Sequence, residues 1–167
     1  MEIEKTYIIS ADIPQIDVHY RIANLSEKPL EFFFWSHHIP QLSEKDWILV
    51  VPTDQGIKTN SDKEGNVIYN VKGAALTQDF GKDARKGEIA EGWVSAYSAK
   101  TKETMVAQFD FAKLLQIYSW KGAPTTFEWM YKPCSLKPGE SWETNIKLIY
   151  MEKTEIADIK GKVGNIK

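Results

Sequence analysis

The sequence predicts an all-β protein, an antiparallel β-sandwich with a long mid-chain loop region, and three observations carry that prediction. Apolar and polar residues alternate with a period of two through most of the chain, the pattern of strands with one buried and one open face. Aromatic and β-branched residues crowd those runs, while Pro, Gly, Asn and Asp fall between them, as strand and turn preferences require. Strand follows strand without amphipathic helices in between, so no βαβ rhythm supports a parallel sheet.

The elements follow in order. Within "QIDVHYRIAN", Ile16, Val18, Tyr20 and Ile22 share one face and Asp17, His19 and Arg21 the other. Asn24, Ser26 and Pro29 form a turn before the aromatic run from Leu30 to Trp35, so these two strands are expected to pair as a hairpin. "DWILVVP", "NVIYNV", "GWVSAYS", "TMVAQFDF", "KLLQIYSW", "TFEWMYK" and "SWETNIKLIYM" read as further strands, for a total of about ten. Residues 52–92 are polar, hold one clear strand at best and are expected to form the long loop region, of the kind that often binds or covers ligands. The stretch from Phe80 to Gly92 and the lysine-rich segment after Met151 lack a wide apolar stripe, so both are expected to be irregular or short helical surface pieces.

At 167 residues, 43% of them hydrophobic, the chain fills one core. Residues 1–152 are therefore expected to form a single sandwich domain and residues 153–167 a polar tail. A net charge of -2, spread along the chain, offers no broad cationic surface for nucleic acid or anionic lipid. The N-terminus "MEIEKTYIIS" is charged at once and no apolar run is long enough to span a bilayer, which suggests a cytoplasmic protein with no membrane partner. A single cysteine, Cys134, rules out an internal disulfide and a zinc ribbon; it has no catalytic motif around it and is read as a small hydrophobe. "GKDARKG" has neither phosphate-loop nor dinucleotide spacing, and no cofactor is implied.

Candidate chemistry gathers in two places. "FFFWSHHIPQL" holds two of the three histidines, His37 and His38. Extended backbone points Phe33, Trp35 and His37 to one side and Phe34, Ser36 and His38 to the other, so only one imidazole can face a given cleft. Pro40 ends regular pairing just beyond, and a histidine at a strand end suits proton transfer; the plainer reading is one ring bound to backbone and the other solvated. Glu128 in "TTFEWMYKP" shares a face with Met130 and Lys132. Flanking Phe127 and Trp129 would strip its water and raise its pKa, while Lys132 would lower it; the plainer reading is a solvated or ion-paired strand residue. Six tryptophans supply flat faces suited to pyranose rings, although most belong to a core. Adjacent histidines diverge on a strand, so no metal site is expected.

Three stretches resemble the galactose mutarotase-like superfamily of aldose epimerases and related sugar-binding sandwiches. "VHYRIANLSEKPLEFFFWSHHIPQL" is similar to the family's Y-x-I-x-N-x-S strand, proline, aromatic strand and histidine followed by Asn-Leu, with Gln41-Leu42 in the Asn-Leu place. "SLKPGESWETNIKLIY" resembles the late L-x-P-G-E turn and the strand ending in Tyr, and "FEWMYKP" stands where the family carries an acidic base. The resemblance covers residues 16–42 and 127–150; Met130 stands where the family has Gln, and the family's earlier half, with a further histidine and an arginine, has no counterpart. It implies a reduced mutarotase-like sandwich, with His37 as general acid and Glu128 as general base. Around them, His38, Gln41, Trp35, Trp93, Trp129 and Lys132 are the candidate ligand-binding residues, for a monosaccharide or sugar phosphate.

Three functions follow. The first is a carbohydrate-binding sandwich without the full catalytic machinery. The second is a structural or oligomerising domain with no small ligand, in which the aromatics pack between sheets or subunits. The third is a small aldose 1-epimerase, in which the His/Glu pair opens and recloses the ring.

Overall fold

The computed structural model describes residues 1–43, 46–60, 65–71, 84–122 and 124–164. Within them the chain forms β1 (Glu2–Ile9), β2 (Gln15–Ala23), β3 (Leu30–Phe32), β4 (Trp35–His38), β5 (Ile48–Thr53), β6 (Gly56–Asn60) and β7 (Val67–Val71). There follow β8 (Ala84–Ile89), β9 (Trp93–Tyr97), β10 (Thr104–Phe109), β11 (Leu114–Trp120), β12 (Thr126–Tyr131), β13 (Cys134–Leu136), β14 (Ser141–Met151) and the helix α1 (Ile156–Gly164). One large sheet runs β1-β2-β14-β10-β9-β5-β8-β7-β11-β12-β4, with β6 added to β5, while β3 and β13 pair separately. All pairings are antiparallel except β7 with β8.

The sheet curls back on itself. Six steps of about 4.8 Å would hold β10 and β12 about 29 Å apart on a flat sheet, yet the rings of Phe109 and Trp129 are 5.8 Å apart. Between the facing halves lies the main core, with Val18 and Tyr20 of β2, Leu49 and Val51 of β5, Tyr69 of β7 and Phe127, Trp129 and Tyr131 of β12. Two smaller clusters lie on the outer faces. Trp93, Tyr97, Val106 and Ile149 pack under Ile159 and Val163 of α1. Ile68, Tyr118 and Met130 pack with Phe33 and Trp35.

Alternation in β2 is as expected, with Val18, Tyr20 and Ile22 buried. On its other face Arg21 reaches Glu143 at 3.6 Å and Glu2 at 3.5 Å. The two turns that carried the family resemblance are tied to each other through buried Asn24. Its Nδ2 donates to the carbonyls of Lys28 at 2.8 Å and Leu136 at 2.9 Å, and its Oδ1 accepts from the Ser26 amide and hydroxyl. Backbone bonds run from Gly139 N to Asn24 O and from Asn24 N to Glu140 O. Gly139, at φ +80 after Pro138, takes the left-handed position of a turn closed from Glu140 N to Lys137 O, where a Cβ would be strained.

Four expectations are corrected, and one strand was not foreseen. The aromatic run does not form a hairpin with β2: β2 lies between β1 and β14, and β4 pairs with β12. The N-terminal segment is itself a strand, its polar and apolar residues all exposed. The mid-chain stretch read as loop carries β6, β7 and β8. β6 lacks an apolar alternation because it is largely solvent-facing, and ladder bonds come from backbone, so a polar segment can join a sheet whose neighbours supply the burial. Of the stretch from Phe80 to Gly92, residues 80–83 lie outside the described residues and Ala84–Ile89 is strand rather than helix. Lastly, α1 does more than decorate the surface, since Ile159 and Val163 are buried at positions one turn apart.

Candidate functional site

The site is built where the edge strand β4 lies along β12. Their register sets His38 opposite Phe127, His37 opposite Glu128, Ser36 opposite Trp129 and Trp35 opposite Met130. Residues directly opposite in an antiparallel pair point the same way, so the two adjacent histidines enter different chemical surroundings.

His38 faces the core. Its ring stacks on Trp129 with centroids 4.1 Å apart and planes 15° apart, and Nε2 lies 2.8 Å from the Ser36 hydroxyl. Burial, helped by the charges of Lys5 and His37, pushes its pKa down to about 4. A ring so placed is neutral at physiological pH.

His37 faces outward and is more than half exposed, while Glu128 beside it is buried, at 54% and 3% side-chain exposure. His37 Nδ1 stands 3.3 Å from Glu128 Oε1, and the same oxygen accepts a hydrogen bond from the Thr126 hydroxyl. The indole of Trp35, two residues back on the same face, stacks on the His37 ring at 4.6 Å and 28°. The other carboxylate oxygen, Glu128 Oε2, is buried and has no hydrogen-bond partner among the described residues. Gln116 Oε1 of β11 and Asn70 Oδ1 of β7 are in the same condition. They lie opposite each other, and Gln116 opposite Met130, which puts both on the face of Glu128. Phe33, in the cluster that holds Trp35, also lines a groove of about 510 Å³ with Glu31, Phe32, Pro133, Cys134 and Ser135.

Of the residues singled out in the sequence, then, the structure brings together His37, Glu128 and Trp35, and sets His38 and Trp129 on the opposite face of the same two strands. Trp129 is wholly buried and offers no open ring. Trp93 lies in the cluster under α1, its Nε1 donating to Glu91 Oε2 at 3.0 Å. Lys132, just past the end of β12, donates to the Ala112 carbonyl at 2.8 Å, and Gln41 is exposed in the segment after β4. Thr126, Gln116 and Asn70 were not foreseen. Their only sequence signal is a polar residue inside an otherwise apolar strand, and the strand partners that make them neighbours cannot be read locally. Among the described residues no group of three or more His, Cys, Asp and Glu is placed to hold a metal ion.

No protein-family model matches the chain. No curated protein matches it in sequence. Solved structures do match in shape. The chain superposes on the Slr1438 protein of Synechocystis with a TM-score of 0.63 at 12% identity, over 90% of this chain and 55% of that one. A galactose mutarotase-like protein from Lactobacillus casei gives 0.56 at 12%, over 88% and 62%. A candidate aldose 1-epimerase from Klebsiella pneumoniae gives 0.56 at 12%, over 98% and 53%. The chain thus spans little more than half the length of these structures, and the fold it shares with them is the mutarotase-like β-sandwich.

Proposed function

We propose that this chain is a carbohydrate-binding sandwich, related in fold to the aldose epimerases, that takes a sugar on the outer face of β4 and β12. The observation that carries this reading is Glu128 Oε2, a buried acceptor with no donor among the described residues, set behind an exposed imidazole that stacks on an indole. Leaving such an oxygen unsatisfied costs about 1–3 kcal/mol, and Gln116 Oε1 and Asn70 Oδ1 add to that demand for donors on the same face. Sugar hydroxyls are such donors. The Trp35 and His37 rings give the apolar face of a pyranose a surface to lie on, and the groove beside Phe33 has room for a monosaccharide or a sugar phosphate.

The 3.3 Å between His37 and Glu128 favours binding over epimerisation. An acid and a base that act on opposite sides of C1 need the sugar between them, and these two groups already touch. The test is a titration of the indole and imidazole NMR signals with galactose, glucose and their phosphates. Shifts confined to Trp35 and His37, lost in Glu128→Gln and His37→Ala, are expected. No shift at high millimolar sugar overturns the reading, and anomer exchange faster than the buffer rate, abolished by both variants, would restore the epimerase.

A further inference from the structure

We propose that two copies of this chain join through β1, edge to edge and antiparallel, across a two-fold axis at Thr6. The proposal does not depend on the sugar site. β1 ends the large sheet, and among the described residues it pairs only with β2. Edge strands are normally guarded by shortness, proline, bulges or inward-pointing charge. The opposite edge, β4, has that protection, being four residues long with Pro40 close behind. β1 keeps one of these guards, the core-side Lys5, and lacks the others: its eight residues pair with β2 in unbroken register and contain no proline.

Both faces of β1 are exposed, and one of them belongs to the core side of the sheet. Ile3, Lys5, Tyr7 and Ile9 stand opposite Ile22, Tyr20, Val18 and Ile16, of which Ile22, Tyr20 and Val18 are buried. Yet Ile3 and Tyr7 are each 57% exposed and Ile9 is 74% exposed, with Ile8 on the reverse face at 60%. At the end of the β1-β2 hairpin, Ile9, Ile13 and Ile16 open with Met105 and Leu148 into an apolar groove of about 290 Å³. Apolar surface concentrated on one unpaired strand marks an interaction site.

A second copy of β1 is a self-complementary occupant of this edge, and charge and strand length fix its register. A two-fold axis perpendicular to a sheet keeps each face on its own side, so it must pass through a residue, which then faces its own copy. An axis at Lys5 sets two lysines against each other and an axis at Glu4 two glutamates, and like charges directly opposite destabilise a pair. An axis at Tyr7 avoids this but shortens the paired stretch from residues 3–9 to residues 5–9. The axis at Thr6 sets Ile3 against Ile9 of the second copy, Glu4 against Ile8, and Lys5 against Tyr7. The last repeats between copies a contact already made within the chain, where Lys5 Nζ sits 4.8 Å from the centre of the Tyr7 ring. Paired so, the backbone groups on the open side of β1 are satisfied and the core-side face runs on into the second copy.

Sedimentation equilibrium and a register-specific crosslink test this. A species of twice 19.1 kDa is expected, with Ile3→Glu, which alters the contact twice per dimer, weakening association at least about 100-fold while leaving the far-ultraviolet circular dichroism unchanged. In a Cys134→Ser background, Thr6→Cys should oxidise to a covalent dimer, since opposed α-carbons about 4.5–5.5 Å apart fall within disulfide reach. Glu4→Cys should not, its copy lying about 13 Å away along the strand. A single 19.1 kDa species at all concentrations, or crosslinking through residue 4 in place of residue 6, overturns the proposal.

Discussion

Replacing His38 by phenylalanine isolates the cost of burying an imidazole. The substitution keeps a flat ring over Trp129, at the 4.1 Å stack the histidine makes, and removes the bond to the Ser36 hydroxyl, a loss of about 1 kcal/mol at every pH. The titration is the larger effect. In the unfolded chain His38 takes up a proton near 6.5, whereas in the folded chain burial holds its pKa down to about 4. Between those values the unfolded state binds more protons, so stability is full above pH 6.5 and is lost as pH falls toward 4. At 1.36 kcal/mol per pH unit the interval is worth about 3 kcal/mol, and about 2 kcal/mol once the partly open ring is allowed its remaining water. Urea unfolding of both proteins at pH 7.5, 6, 5 and 4 gives the comparison, because the carboxylates that also titrate are common to both. The stability difference between wild type and His38→Phe should shift by about 2–3 kcal/mol against wild type across that range. Parallel curves, or an NMR titration of His38 with a midpoint near 6.5, would refute the argument that this ring is held neutral by its core position.

Two further outcomes follow from packing and from the turn knot. Ile159→Ala, which empties a fully buried position between α1 and the outer face of β9, β10 and β14, should cost about 2–4 kcal/mol in urea unfolding and speed hydrogen exchange throughout the helix. Asn24→Ala removes four hydrogen bonds at once and leaves the buried Leu136 carbonyl without its side-chain donor, so a loss of about 2–4 kcal/mol is expected, with the thermal midpoint as the readout.

The residues that made the family resemblance legible are scaffold. Asn24, Ser26, Leu136, Gly139 and Glu140 close two turns onto each other, a task that only particular side chains and one left-handed glycine can perform, which is why they stand out in a single sequence. The sugar-site candidates leave a weaker trace, because a histidine or a glutamate in a strand looks the same whether it is solvated, paired or buried.

By itself the sequence determined that the chain folds into strands, where most of them lie and which residues of each share a face, because a two-residue side-chain period is a local property of extended backbone. It also separated His37 from His38, for the same reason. Only the tertiary structure decided that β4 runs along β12 in the register that seats His37 on Glu128 and His38 on Trp129, that β6 and β8 are strands at all, and that β1 ends the large sheet among the described residues. Those outcomes depend on strand pairing between segments far apart in the chain, where the burial gained by the whole curled sheet, and no local preference, selects the partner.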